Sequence, residues 1–174
     1  MITQELLKKQ FSYDNGKLLR NFSSGGQKVG SFAGWINTVT RGKRYIRLNV
    51  CGEQIYLHQA IFLMHHGYLP KCIDHINGNS FDNRIENLRE ANQSLNTANS
   101  VISKANTSGY KGVVWRKDTN KWMAQISKNK KHYNLGSFEK IEDAAKAYKI
   151  AAEKFFGEFA RPEASNRNID RSTQ

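Results

Sequence analysis

Between Cys72 and Asn96 the sequence CIDHINGNSFDNRIENLREANQSLN sets Asp74 beside His75, follows them with Asn77-Gly78, and returns with Asn83, Asn87 and Asn96. These residue types suit acid–base chemistry at a phosphate. An imidazole with an ordinary pKa near about 6.5 is largely neutral at pH 7 and can take a proton from water. The Asp74 carboxylate and the Asn96 amide oxygen are hard donors, suited to Mg²⁺ or Mn²⁺ and not to zinc. Phosphodiester hydrolysis needs such a base, a Lewis acid for the developing charge, and help for the leaving 3′-oxygen. With a single carboxylate in the donor set, one ion is favoured over a two-metal clamp. Each Asn taken singly is an ordinary turn or cap residue; the set together carries the reading.

The elements that must position these groups can be read from the same stretch. Lys71 to His75 is a short strand. Adjacent strand side chains face opposite ways, so Asp74 and His75 can reach one phosphate only if the strand ends or twists between them, and the Asn77-Gly78 turn puts its end there. Leu88 to Ala91 is a return strand, and Asn92 or Ser94 can cap a short helix carrying Asn96. Strand, loop, strand, helix is a ββα order. The stretch resembles the HNH nuclease motif (ββα-metal or His-Me finger), in the branch of phage and intron homing endonucleases where Asn takes the last His position. That resemblance implies His75 as general base, Asp74 and Asn96 as metal ligands, and Asn87 as the middle residue orienting the base or the loop. It also implies that Asn83 and Arg84 fix the loop, with Arg84 and Arg89 near phosphate, and that each active site holds one Mg²⁺ or Mn²⁺ and no zinc.

Upstream, Thr3 can cap a helix over Gln4 to Gln10, and Asn15-Gly16 marks a two-residue hairpin turn. Residues 23 to 43 are rich in Gly, Ser and Thr, with a strand expected at Val29 to Ile36. From Arg44, the alternation of Ile46, Leu48 and Val50 with Tyr45 and Arg47 predicts a hairpin turning at Cys51-Gly52-Glu53. Arg41, Lys43, Arg44 and Arg47 form a basic approach; Arg44 and Arg47 are candidate phosphate contacts. Leu57 to His66 is a helix closed by Gly67. Its His65 and His66 point about 100° apart and cannot easily share an ion. His58, His65 and His66 are all read as packing, dipole or phosphate contacts. Cys51 and Cys72 lack metal-ligand spacing and read as small buried apolar groups.

The 174 residues carry 27 Lys and Arg against 15 Asp and Glu, a net charge of +12. That sign asks for a polyanion. The longest clean apolar run, Ala60 to Met64, is far short of a membrane span, and Met1 to Phe11 lacks a signal-peptide core. Nucleic acid, in a cytoplasm, is therefore the expected partner, with no membrane and no protein partner evident; the resemblance implies that it is double-stranded DNA in a bacterial or phage-infected cell.

Thr97 to Thr107 is polar and aperiodic, and the boundary is placed near Ala105. Beyond it, three segments rich in aromatic and β-branched residues, Tyr110 to Lys117, Lys121 to Lys128 and Lys131 to Leu135, predict an antiparallel sheet. Ile141, Ala144, Ala145, Tyr148, Ala151, Ala152 and Phe155 give the following helix one apolar stripe to cover it. Lys111 to Asn134 carries seven Lys or Arg and one acid, so the exposed sheet face is the electrostatic footprint. Gly109-Tyr110-Lys111-Gly112-Val113, Lys121-Trp122-Met123-Ala124-Gln125-Ile126 and Leu135-Gly136-Ser137-Phe138 resemble the DNA-binding domain of plant ethylene-response factors (the APETALA type). The resemblance implies a sheet lying in the major groove. Candidates on it are Lys111, Trp115, Arg116, Lys117, Gln125, Lys128, Lys131 and His132, with Arg116 able to pair with guanine and Gln125 with adenine. Trp122 reads as core. Val114 and Asn134 stand where the plant domains commonly use Arg and Trp, so the plant target does not transfer.

The expectation is an α+β chain: an HNH nuclease domain over residues 1–100, a linker 101–107, the APETALA-type domain 108–165 and a tail 166–174. Its expected function is site-specific, metal-dependent cleavage of double-stranded DNA, the sheet tethering the cutter. The alternatives are a sequence-specific DNA-binding regulator with an inert HNH part, and a nonspecific nuclease.

Overall fold

The computed structural model describes residues 1–23, 25–39, 43–100, 102 and 105–161. Arg41, residues 101, 103 and 104 of the expected linker, and the tail 166–174 lie outside the described residues. Contacts divide the chain between Asn92 and Gln93.

The first unit opens with α1 (Gln4–Gln10), where Thr3 Oγ1 accepts from the Leu6 amide at 3.2 Å. β1 (Phe11–Asp14) and β2 (Lys17–Arg20) pair around Asn15 and Gly16, whose φ of 43° and 83° are the left-handed values a two-residue turn requires. A Cβ on Gly16 would lie 2.8 Å from the Arg84 amide nitrogen, so this turn seats directly on the loop at Asn83-Arg84. β3 (Trp35–Thr38), β4 (Arg44–Val50) and β5 (Glu53–Tyr56) form an antiparallel sheet in that order. The strand expected from Val29 thus begins only at Trp35; the Gly- and Ser-rich residues before it contribute an isolated bridge, Phe32 to Leu19.

Ile46, Leu48 and Val50 turn one face of this sheet towards the core, while Tyr45 and Arg47 occupy the other. Cys51, at φ 51°, forms the β4–β5 turn with Gly52 and is exposed. This corrects the expectation that both cysteines are buried: the tip of a tight turn points outwards. Cys72 is half-buried, and neither cysteine forms a disulfide. α2 (Leu57–His66) packs Leu57, Ala60 and Ile61 into the core, with Leu7, Leu18 and Leu48. β6 (Cys72–His75) and β7 (Leu88–Ala91) then pair antiparallel, with Asp74 opposite Arg89 and His75 opposite Leu88.

The second unit contains α3 (Gln93–Asn99), β8 (Val113–Arg116), β9 (Lys121–Lys128), β10 (Lys131–Phe138) and α4 (Ile141–Phe156). The expected α+β architecture is present: β6, β7 and α3 in ββα order, then a three-stranded antiparallel sheet covered by α4. Ala144, Tyr148, Ala152 and Phe156 meet Val113, Ala124 and Ile126 beneath the helix. The approach is close at Gly112 (φ 69°), where a Cβ would fall 2.2 Å from the Tyr148 ring. β10 bulges between Asn134 and Gly136.

Candidate active site and nucleic-acid interface

His75 closes β6 and is buried. Its Nε2 lies 3.1 Å from Asn83 Oδ1, and the Asn83 Nδ2 donates to the Phe81 carbonyl, so the amide oxygen is the atom aimed at the imidazole. An amide oxygen can only accept. Nε2 therefore carries the proton and Nδ1 carries the basic lone pair. Burial pushes the His75 pKa below 6.5, partly offset by the Asn83 hydrogen bond and the charges of Asp74 and Asp82. The ring is thus neutral at pH 7.

Asp74 is 4% exposed and sits across the ladder from Arg89. Arg89 Nε and Nη2 both donate to Asp74 Oδ2, at 3.0 and 2.9 Å. A buried carboxylate is costly without a counter-charge, and this cross-strand pair supplies one while fixing the carboxylate's orientation. Arg89, expected near phosphate, has a side chain 13% exposed and paired with Asp74.

The loop after β6 is held by amides. Asn87 Oδ1 accepts from the Asn77 amide at 3.0 Å, and its Nδ2 donates to Asn77 Oδ1 at 3.1 Å and the Asp82 carbonyl at 2.7 Å. Of the two roles open to Asn87, these bonds realise loop fixing. Asp82 accepts from Asn77 Nδ2 and from Arg84 Nε and Nη2, and the Arg84 bonds lower its pKa to about 2. Arg84 remains nearly half exposed at the loop's end. Ser80 Oγ ties the loop to the Arg44 carbonyl at 2.7 Å, and the Arg44 guanidinium lies 5.5 Å over the Phe81 ring.

His58 packs, as the sequence suggests, and does so against His75. Its ring stacks on Tyr56 with centroids 5.5 Å apart and meets the His75 ring edge-on at 5.2 Å. Burial and the neighbouring imidazole push its pKa down to about 3. His65 instead bonds the Ile61 carbonyl at 2.8 Å, and His66 packs on Phe62. From His58 an aromatic row continues through Tyr45 and Tyr56. Arg47 joins the row, its guanidinium 4.4 Å over Tyr56 and bonded to Tyr56 Oη and Gln54 Oε1. Its Nε is buried without a hydrogen-bond partner among the described residues. Trp35, paired with Arg47 across the sheet, is 43% exposed.

In the second unit, strand alternation sorts the candidates. Arg116, Gln125 and His132 share the open face with Val114 and Asn134, while Trp115, Lys128 and Lys131 fall on the face that carries α4. The open-face placement of those last three is thereby corrected: they sit one residue out of phase. Trp115 meets Trp122 edge-on at 5.0 Å, and Lys128 Nζ donates to the Phe155 carbonyl at 2.5 Å. Lys117 lies in the exposed β8–β9 turn. Arg116 bonds Asp118 through Nε and Nη2, and His132 Nδ1 lies 2.7 Å from Ser127 Oγ. Lys111 leaves the sheet, its ammonium bonded to the Thr97, Ala98 and Ser100 carbonyls.

Comparison with known proteins finds the same two parts, the first match running past Asn92 into α3. An HNH endonuclease family model matches residues 55–98, and an AP2 domain model matches residues 108–158. The chain is 35% identical over 106 residues to Protein 3.8 of Escherichia phage T7, covering 60% of this chain and 87% of that protein. The chain belongs to the HNH endonuclease family. This HNH and AP2 chain is also 36% identical over 113 residues to an Uncharacterized HNH endonuclease L560 of Acanthamoeba polyphaga mimivirus, covering 63% of this chain and 57% of that protein. No solved structure matches it. The pairing of an HNH region with an AP2 domain makes this a DNA-interacting protein. Among the described residues, no helix is long and apolar enough to cross a membrane, and no group of three or more His, Cys, Asp or Glu side chains gathers around one ion position. Asp74 contributes a hard, oriented oxygen donor in keeping with a family that uses a divalent ion.

Proposed function

We propose that the chain is a metal-dependent endonuclease of the homing type, cutting or nicking double-stranded DNA at a specific site. The single observation that carries this reading is the fixed tautomer of a buried, neutral His75: Nε2–H is held by Asn83, leaving Nδ1 as the base. In this reading Nδ1 takes the proton from the attacking water, and Asn83 stabilises the imidazolium that forms. Asp74, oriented by Arg89, and Asn96 would hold Mg²⁺ or Mn²⁺, the ligand role of Asn96 resting on the family resemblance. That ion would stabilise charge on the scissile phosphate and the leaving 3′-oxygen. Asn87 keeps the loop closed, so that Arg84 is presented at its end; Arg44, Arg47 and Arg84 contribute phosphate contacts. The open face of the AP2 sheet, through Arg116, Gln125 and His132, tethers the cutter near its site, raising its effective concentration there.

The test is end-sequencing of phage or bacterial DNA incubated at low salt with Mg²⁺, with chelator, and with His75→Ala. Ends at one or a few positions, present only with metal and the unaltered chain, are expected, and His75→Ala should retain DNA binding. Scattered ends would make it a nonspecific nuclease; tight, salt-sensitive binding without ends would make it a regulator.

A further inference from the structure

A cleft of about 510 Å³ opens in the first unit beside the loop that holds His75. Its walls come from segments distant in sequence: the β1–β2 turn at Asn15 to Lys17, Phe32, and the loop from Phe81 to Arg84, over a floor of Ile46 and Leu57. The walls are braced against each other. Gly16 leaves no room for a Cβ against the Arg84 amide, and Tyr13 Oη accepts from the Ile85 amide at 3.1 Å. A fixed, largely apolar cleft of this size is of the kind that takes a small ligand. Two aromatic rings remain open at it, with Phe32 39% and Phe81 37% exposed. The cations Lys17 and Arg84 line it too, and the Arg44 guanidinium lies 5.5 Å over the Phe81 ring. Asp82, the acid among the lining residues, is already engaged by Arg84 Nε and Nη2. Asn83 belongs to the same cleft, while its Oδ1 lies 3.1 Å from His75 Nε2.

We propose that this cleft is a subsite for a nucleobase turned out of its stack in the DNA strand presented to His75. The inference rests on the nuclease reading above and adds a ligand site to it. Aromatic rings accept the flat face of any base. Lys17, Arg44 and Arg84 suit the phosphates that flank it. An apolar side chain from a partner protein would use the rings and the floor but leave the cations idle, and a bare phosphate would use the cations but leave the rings idle. A nucleotide uses both. Turning a base out costs least where it is mismatched or already unpaired, so the subsite favours DNA carrying such a base.

The experiment uses the full chain with chelator present, which keeps the DNA intact, and three short duplexes of one sequence. One is fully paired, one carries a central mismatched 5-iodouracil, and one has an abasic residue at that position, which keeps the phosphates and removes the base. Affinity is read by fluorescence anisotropy, and the residue cross-linked on irradiation is identified by mass spectrometry. The mismatched duplex is expected to bind about tenfold more tightly than the other two, with cross-links to Phe32 or Phe81. Phe32→Ala and Phe81→Ala should each remove that preference and leave affinity for the paired duplex unchanged, whereas Phe81→Tyr, which keeps the ring, should retain it. Equal binding of the mismatched and abasic duplexes, a preference that survives both alanine variants, or cross-links confined to the AP2 unit would overturn the proposal. Repeating the series with Mg²⁺ separates it from the nuclease reading. Cleavage without the preference fails the subsite alone; the preference without cleavage leaves the subsite standing and fails the nuclease.

Discussion

His58 and His75 meet edge-on at the end of β6, and both are held neutral by their surroundings. For His58 the sign of the stability effect is clear. Unfolded, it titrates near about 6.5; folded, it is depressed to about 3. Above pH 6.5 both states are neutral and nothing is lost, but as pH falls towards 3 the unfolded state takes up a proton that the folded state refuses. His58→Phe keeps an aromatic ring on Tyr56 and removes that linkage. Urea midpoints measured from pH 7.5 to 4 should show a shallower acid slope in the variant, by up to about 1.4 kcal/mol per pH unit. The set Asp74, His75, Asn83 and Asn87 was legible in the sequence because its members lie within one strand, one loop and one turn. His58 was not: a histidine on an apolar helix face reads as packing, and only the closure of β6 against α2 brings it to His75. The partner of Arg89 was not legible for a related reason. Its pairing with Asp74 follows from strand register, which fixes a partner that spacing along the chain does not reveal.

Among the elements, β9 was read to the residue and the apolar stripe of α4 was read correctly, since period 2 and period 3.6 patterns leave little freedom. The face of the sheet was harder. Lys and Trp are amphipathic, so polarity does not say whether Lys128 projects to solvent or lies along the helix with its head on a carbonyl. The structure separates the two cases by experiment. Lys128→Met removes a charge-assisted bond to the Phe155 carbonyl and should lower stability by about 1–2 kcal/mol without altering the salt dependence of DNA binding. Arg116→Ala, on the open face, should leave the denaturation midpoint nearly unchanged while reducing the slope of log affinity against log salt by about 1. Chemical denaturation paired with a salt series of binding isotherms reads both. The Gly- and Ser-rich approach to β3 stayed unreadable because it has no hydrophobic period; it is tied to β2 by backbone hydrogen bonds of Leu18 and Arg20 with Gly30, Ser31 and Ala33 and by the Leu19–Phe32 bridge.

At the scale of the whole molecule, a net charge of +12 on 174 residues makes association with DNA an ion-exchange process. Both units contribute basic or aromatic surface: Arg44, Arg47 and Trp35 in the first, Arg116 and His132 in the second. If the contacts of both units together neutralise about six phosphates, affinity should fall by about a thousandfold between 50 and 200 mM salt. Fluorescence anisotropy with the His75→Ala chain measures this without cleavage; a decline of only a few-fold would leave one unit unengaged. The two-domain order was legible from composition and motif, whereas the seam was not. Polar residues after Thr97 look like a linker, yet α3 before them folds with what comes after.

That placement of α3 bears on how such chains can be inherited. A genetic crossover near Ala105, where composition changes, would part α3 from Lys111 and from the apolar side chains that receive Leu95 and Ala98. A crossover near Asn92 would carry the reader as an intact cassette, but one that brings its own Asn96 with it. Each new reader would then bring with it the last residues of the HNH match, which runs to residue 98, so the ancestry of the cutter and that of the reader are tied at one helix.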